Sequence, residues 1–129
     1  MTDDRGQAIL AVVLAVGIAA TAIVGLRAAQ DRIVAGAHEL RAGEAAVEAA
    51  AQSVADVYAA RPSDAKELVL DPRVLETARA AAEDLARENG GSGVERVELA
   101  CAGERIEARL VFRGFPHHAG FRAPECSPP

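Results

Sequence analysis

The stretch that decides the fold is residues 8–26, AILAVVLAVGIAATAIVGL, a run of 19 residues without a charged side chain. Thr21 is its only plainly polar residue. A helix rises about 1.5 Å per residue, so this run spans roughly 28 Å and matches a bilayer hydrocarbon core of about 30 Å. The run therefore predicts a transmembrane helix.

Two other interpretations of this run are less favoured. A buried helix of a soluble protein needs large apolar partners, but 30 of the 129 residues are Ala, with three Phe, one Tyr and no Trp. A cleaved secretory signal has a cationic start and an A-x-A-like site after a shorter apolar region. Residues 1–7, MTDDRGQ, form a short charged leader-like segment instead. A retained anchor is predicted.

The composition also bears on the class of function. A net charge of −5 provides no basic surface for nucleic acid. The chain has no nucleophile elbow, phosphate loop or zinc motif, and His117-His118 with Glu125 and Cys126 match no standard metal spacing. We therefore expect neither an enzyme nor a cofactor, metal or small-molecule site.

An apolar stripe extends the anchor into water. Apolar residues recur in alternating steps of three and four from Ile9 to Tyr58, and no proline occurs before Pro62. This spacing is typical of one continuous helix that packs against other helices. The prediction is a transmembrane part over 8–26 and an extension over 27–61. The residues assigned to helix packing are Gly17, Thr21, Gly25, Ile33, Ala37, Leu40, Val47 and Val54.

Residues 62–113 predict a small α+β domain. Asp71 and Pro72 suit the start of a helix over 72–89 that ends at Asn-Gly. Alternating apolar residues predict a hairpin over 94–112 whose two-residue loop, Gly103-Glu104, pairs Cys101 with Ile106. The Pro-rich tail, 114–129, is expected to wrap around the domain or to be disordered.

The two cysteines, Cys101 and Cys126, are candidates for a disulfide if the domain is exported. The bond would close a segment of 26 residues. By loop-closure entropy it would stabilise the domain by about 3–4 kcal/mol.

Orientation in the membrane has conflicting signals. Arg5 precedes the span, whereas Arg27, Arg32 and Arg41 follow it, so the positive-inside rule would leave the larger part in the cytoplasm. The paired cysteines favour the opposite orientation. Composition alone leaves both orientations open.

The opening residues, Arg5-Gly6-Gln7-Ala8-Ile9-Leu10-Ala11 followed by the apolar helix, resemble the start of TadE/TadG-like pseudopilins and minor pilins of the tight-adherence (Tad/Flp) pilus system. In that family a short charged leader ends in Gly and a prepilin peptidase cuts after it. The resemblance implies a candidate cleavage between Gly6 and Gln7, an N-terminus in the cytoplasm and a domain outside.

One position departs from the family pattern. Pilins usually carry Glu five residues after the cleavage point, where this chain has Ala11. The resemblance thus implies a minor pilin or an accessory subunit that contacts other pilus-assembly subunits through its long helix. The protein would lie in the cell membrane or be incorporated in an extracellular filament. The alternative is a cytoplasmic-facing helical stalk or scaffold anchored at its N-terminus.

Overall fold

The computed structural model describes residues 4–62 and 65–127, and it shows the α+β fold that the sequence predicts. A long N-terminal helix, α1, is followed by a short helix, a second long helix and an antiparallel sheet at the C-terminal end. The elements are α1 (Asp4–Ala60), α2 (Ala65–Leu68), α3 (Pro72–Glu88), β1 (Val94–Ala102), β2 (Arg105–Phe112), β3 (Phe115–Arg122) and a 3-10 turn (Pro124–Cys126).

The chain divides into two compact units, Met1–Ala37 and His38–Pro129. The described part of the first unit consists of α1 alone. The second unit contains the last turns of α1 and every later element, and we call it the outer domain because it follows the apolar run in the chain. The sequence assigned residues 27–61 to one extension of the helix, and the structure places most of that extension, residues 38–60, in the outer domain.

Local signals explain why α3 begins and ends where predicted. The Asp71 carboxylate accepts a hydrogen bond from the Arg73 backbone N–H at 2.8 Å and so caps the helix. At the other end Gly90 has a φ of +75°, and the Gly91 N–H donates to the Ala86 carbonyl at 2.9 Å. This pairing is a Schellman motif, which needs a residue in the left-handed region that glycine adopts readily.

The sheet has the strand order β1-β2-β3, and its first hairpin has the predicted register. Cys101 lies opposite Ile106, and the same pairing continues to Val97 opposite Leu110. Gly103 has a φ of +59°, as the first loop residue of a type II′ turn requires. The apolar alternation fixed this register because a shift by one residue would turn every apolar side chain to solvent.

The prediction for residues 114–129 was wrong in most of its length. Phe115–Arg122 form β3, which pairs with all of β2, and a 3-10 turn follows. The chain reverses at Arg113 and Gly114, whose φ values are 49° and 81°. Two successive positive φ values are typical of a type I′ hairpin turn, which Asn-Gly signals strongly and Arg-Gly does not.

The core of the outer domain is built largely from alanine. Its larger members come from the end of α1, from the sheet and, as single residues, from α2 (Leu68) and α3 (Val74). The two long helices otherwise supply small side chains, which allow close packing. The fully buried large side chains are Phe112, Ile106 and Val54. The buried alanines of the two long helices are Ala42, Ala46, Ala50, Ala51, Ala78, Ala82 and Ala86.

Candidate functional site: the exposed apolar helix and the outer domain

The first part of α1 presents an apolar surface that the described part of the chain does not cover. Its large side chains between Ile9 and Leu26 are 55–72% exposed. The most apolar window of this helix has a mean hydropathy of 2.7 and no buried residue. One helix among the described residues is therefore long and apolar enough to cross a membrane, and an exposed helix of this kind is consistent with a membrane anchor.

The small residues of this helix leave its surface open. Cβ atoms placed at Gly17 and Gly25 would meet nothing within 4 Å. The Thr21 hydroxyl finds its hydrogen-bond acceptors within the same helix. It donates to the carbonyls of Gly17 at 3.1 Å and of Ile18 at 2.9 Å. Because the backbone and this hydroxyl are bonded within the helix, the segment needs no water partner.

The residues assigned to helix packing fall into two groups. Val47 and Val54 are 2% and 0% exposed and belong to the core of the outer domain. The expectation that they dock against neighbouring helices is therefore corrected, since they pack within their own chain. Ile33 and Leu40 are 72% and 55% exposed, and Ala37 is exposed as well.

A close contact between α1 and the sheet lies at Gly43. A Cβ built on Gly43 would lie 2.3 Å from Nε2 of His117, so only glycine leaves room for this imidazole. That Nε2 atom is buried and has no hydrogen-bond partner within the part of the chain that the structure describes. His118, the next residue of β3, is exposed, so the two histidines do not converge on one ligand.

Two long-range polar contacts join α1 to the β2–β3 turn and to the 3-10 turn, and sequence reasoning missed both. Arg113 at the β2–β3 turn pairs with Glu39 of α1. Tyr58 donates a hydrogen bond to Glu125 and packs against Phe121 with ring centroids 5.5 Å apart. The bond between them raises the pKa of Tyr58 and lowers the pKa of Glu125.

The structure joins Cys101 and Cys126 in a disulfide whose Cα atoms are 5.3 Å apart. The Ala123 N–H also donates to the Glu104 carbonyl at 2.7 Å, beside the β1–β2 loop. The 3-10 turn that carries Cys126 is thus held against the sheet. Glu125 lies in this turn and accepts the hydrogen bond from Tyr58 of α1. The disulfide therefore also holds Glu125 in position for this contact.

The outward face of the sheet carries charges that are largely paired with each other. Arg109 binds Glu107 at 2.8 Å, and this hydrogen bond lowers the pKa of Glu107. Arg96 and Glu98 lie 3.9 Å apart on the neighbouring strand. Within residues 4–62 and 65–127, no three or more His, Cys, Asp or Glu side chains come together as metal ligands.

The candidate cleavage residues lie in α1. Gly6 and Gln7 are both helical and exposed. Residues 1–3 of the leader-like segment lie outside the described residues. Comparisons of the chain with protein-family models, with curated proteins and with solved structures found no match. The architecture alone therefore defines the class: a small α+β domain that carries a disulfide and continues an exposed apolar helix.

Proposed function

We propose that this chain is a single-pass membrane protein whose outer domain lies outside the cell and whose N-terminus is cytoplasmic. The observation that carries the proposal is one helix, α1, whose first part is apolar and uncovered and whose last part is built into a folded domain. Lipid is the natural cover for such an apolar surface. The role is then structural, through helix packing and protein contacts.

The disulfide supports the outward orientation. Disulfides persist in oxidising compartments and are rare in the cytosol. Cys126 is buried at 5% exposure and is bonded to Cys101 across the end of the sheet. The Arg residues after the span favour the other orientation, but their effect on topology is a bias that other signals can override.

Within this class we propose a minor pilin or accessory subunit of a Tad/Flp-type pilus or a related secretion system. The proposal rests on the resemblance of residues 5–11 and on the shared plan of a long helix followed by a second helix and strands. Ala11 in place of the usual Glu favours a minor or accessory subunit over the repeating one.

The alternative is an anchored stalk or scaffold that faces the cytoplasm. It is favoured by Arg27, Arg32 and Arg41 after the span. The two functions differ in the location of the outer domain and in the state of the cysteines. A cytoplasmic stalk would keep Cys101 and Cys126 as free thiols, because the cytosol is reducing.

A protease experiment on intact cells separates the two. The full chain carries a C-terminal tag, and a tagged cytoplasmic protein is the control for cell integrity. Loss of the tag while the control survives is the result we expect. Protection of both tags would overturn the outward orientation and favour the cytoplasmic stalk.

A second measurement addresses the pilin-like role. N-terminal sequencing of the membrane-bound protein should find a mature chain that starts at Gln7 if a prepilin peptidase processes it. A chain that retains Met1 would exclude processing and leave an accessory anchor. Detection in filaments sheared from the cells would assign the protein to the pilus itself, whereas detection only in membranes would assign it to assembly.

A further inference from the structure

We infer that the segment of α1 just beyond the membrane span is a docking surface for a second copy of this chain, an inference that rests on the proposed membrane anchoring. The surface, called here the juxtamembrane stripe, consists of Leu26, Gln30, Ile33 and Ala37. Its large members are strongly exposed, with Leu26 at 62% and Ile33 at 72%, and the adjacent Val34 is 54% exposed.

Lipid does not cover the outer part of this stripe. At about 1.5 Å per residue, Ile33 lies about 10 Å beyond Leu26 and Ala37 about 16 Å beyond it. The headgroup region adds only about 5–8 Å to each side of the hydrocarbon core. A deeper position of the helix would draw Arg27, Asp31 and Arg32 into hydrocarbon, which is unfavourable for charged side chains.

The part of the chain that the structure describes does not cover the stripe either. The buried part of α1 begins at Ala42, which is 1% exposed, and every residue from Gly6 to His38 is exposed. Ile33, Val34 and Leu40 thus expose large apolar side chains close together beyond the span. Such a cluster in water is typical of an interaction surface.

The pattern of the stripe fits a parallel pair of identical helices. Its residues follow the three-four spacing of a coiled-coil seam. Asp31 and Arg32 lie away from the seam, and its flanking positions are Ala29 and Gly36 on one side and Arg27 and Val34 on the other. In a parallel pair each side faces the opposite side of the second helix, so Arg27 does not meet its own counterpart. No like charges would therefore face each other across the pair.

Gln30 gives a reason for self-association over a partner of unrelated sequence. It is the one polar residue of the stripe, and in a parallel pair it lies opposite its own counterpart, where the two amides can bond to each other. A second copy also has the same 19-residue span, so the bilayer holds both stripes at the same height. Confinement to one membrane raises their effective concentration, and a short surface is then sufficient.

Cysteine cross-linking in membranes tests the inference on the full chain. Ile33→Cys and Ala37→Cys place thiols on the stripe, and Ala35→Cys places one on the opposite face of the same helix turn. Copper–phenanthroline is the oxidant, and the native cysteines stay bonded to each other. We expect a product of twice the chain mass from both stripe variants, several-fold more abundant than from Ala35→Cys.

Two outcomes would overturn the second copy as the partner. One is equal cross-linking from both faces, and the other is a product whose mass is not twice that of the chain. Absence of any cross-linked product from a chain that resists alkaline extraction would also overturn the inference while leaving the anchor intact. A chain that alkali washes off the membrane would instead overturn the proposed anchoring, and the inference with it.

Co-purification of two differently tagged copies is an independent readout. Ile33→Glu places one carboxylate on the stripe of each copy, so that two negative charges face each other in the pair. This should reduce recovery of the second tag several-fold. Ala35→Glu introduces the same charge on the opposite face and should leave the recovery unchanged. Equal recovery from the two variants would contradict the inference.

Discussion

The two ends of α1 belong to one helix, yet they are stabilised in different ways. Between Ile9 and Leu26 the large apolar side chains are all more than half exposed. Between Ala42 and Val54 the buried side chains are mainly alanine, with Val47 and Val54 as the larger members. Within residues 4–62 and 65–127, the apolar end thus has no protein core around it, and the alanine-rich end has one.

The difference shows that hydrophobicity and burial within a protein are separate properties. The strongly apolar end is suited to lipid, which needs no shape-matched partner. The alanine-rich end is suited to a sheet and a second helix, because small side chains allow close approach. The following predictions test this contrast.

The largest effect is expected from charges in the apolar end. Val13→Arg combined with Val16→Arg places two cations near the centre of the span, at about 2.5–3.5 kcal/mol each for membrane insertion. We expect the double variant to be lost from alkali-washed membranes. Ala28→Arg with Ala35→Arg is the matched control, since both residues are exposed and lie beyond the span. Equal retention of the two double variants would contradict the assignment of residues 8–26 to lipid.

The next effect concerns the core of the outer domain. Phe112 is 1% exposed and is the largest fully buried side chain, whereas Phe115 across the β2–β3 turn is 62% exposed. Phe112→Ala should lower the free energy of unfolding by about 3–5 kcal/mol, and Phe115→Ala by less than about 1 kcal/mol. Chemical denaturation followed by circular dichroism measures both. Similar losses from the two variants would mean that the sheet does not pack as described.

Removal of the disulfide should have a comparable but smaller effect on the same domain. The bond joins residues 25 positions apart, and by loop-closure entropy its loss in Cys101→Ala with Cys126→Ala should cost about 3–4 kcal/mol. Reductant should destabilise the natural chain by a similar amount and leave the double variant unaffected. A natural chain that is insensitive to reductant would show that the bond is absent or contributes nothing.

The smallest effect concerns the contact between Tyr58 and Glu125. The pKa of Glu125 is lowered in the folded state. Its contribution to the stability of the fold is therefore present above its unfolded pKa and is lost as the pH falls through the folded pKa. The pKa of Tyr58 is raised in the folded state. Its contribution to the stability of the fold is therefore present below its unfolded pKa and is lost as the pH rises through the folded pKa. Tyr58→Phe should thus be slightly less stable than the natural chain at neutral pH.

The pH profile of this difference is the test. The stability gap between Tyr58→Phe and the natural chain should close in acid below about pH 4 and in alkali above about pH 10, near the ordinary values of the two groups. Thermal unfolding across this range measures it. A gap that is constant with pH would assign the effect of the substitution to packing against Phe121.

Much of the fold was predictable because its signals are local. The uncharged run of residues 8–26, the cap at Asp71 and the alternation that pairs Cys101 with Ile106 each depend on neighbouring residues in the sequence. The third strand was missed because Pro116, two histidines and Gly120 dilute its apolar alternation. β3 forms without a strong apolar alternation of its own because β2 pairs with it along its whole length.

The contacts that fix α1 on the sheet were not predictable from local pattern. Glu39 and Arg113 are 74 residues apart, and Tyr58 and Glu125 are 67 apart. The need for glycine at position 43 arises only when β3 brings the His117 ring against it. Such requirements depend on tertiary packing, which one sequence does not display.

Hydrogen–deuterium exchange of the full chain, with one copy per bilayer nanodisc, tests the central claim most directly, because it measures both environments along one helix. We predict slow exchange over residues 8–26, where lipid excludes water, and over 42–54, where the domain core does. The amides of residues 28–37 between them should exchange faster. Exchange over residues 8–26 that is as fast as over 28–37 would contradict the account.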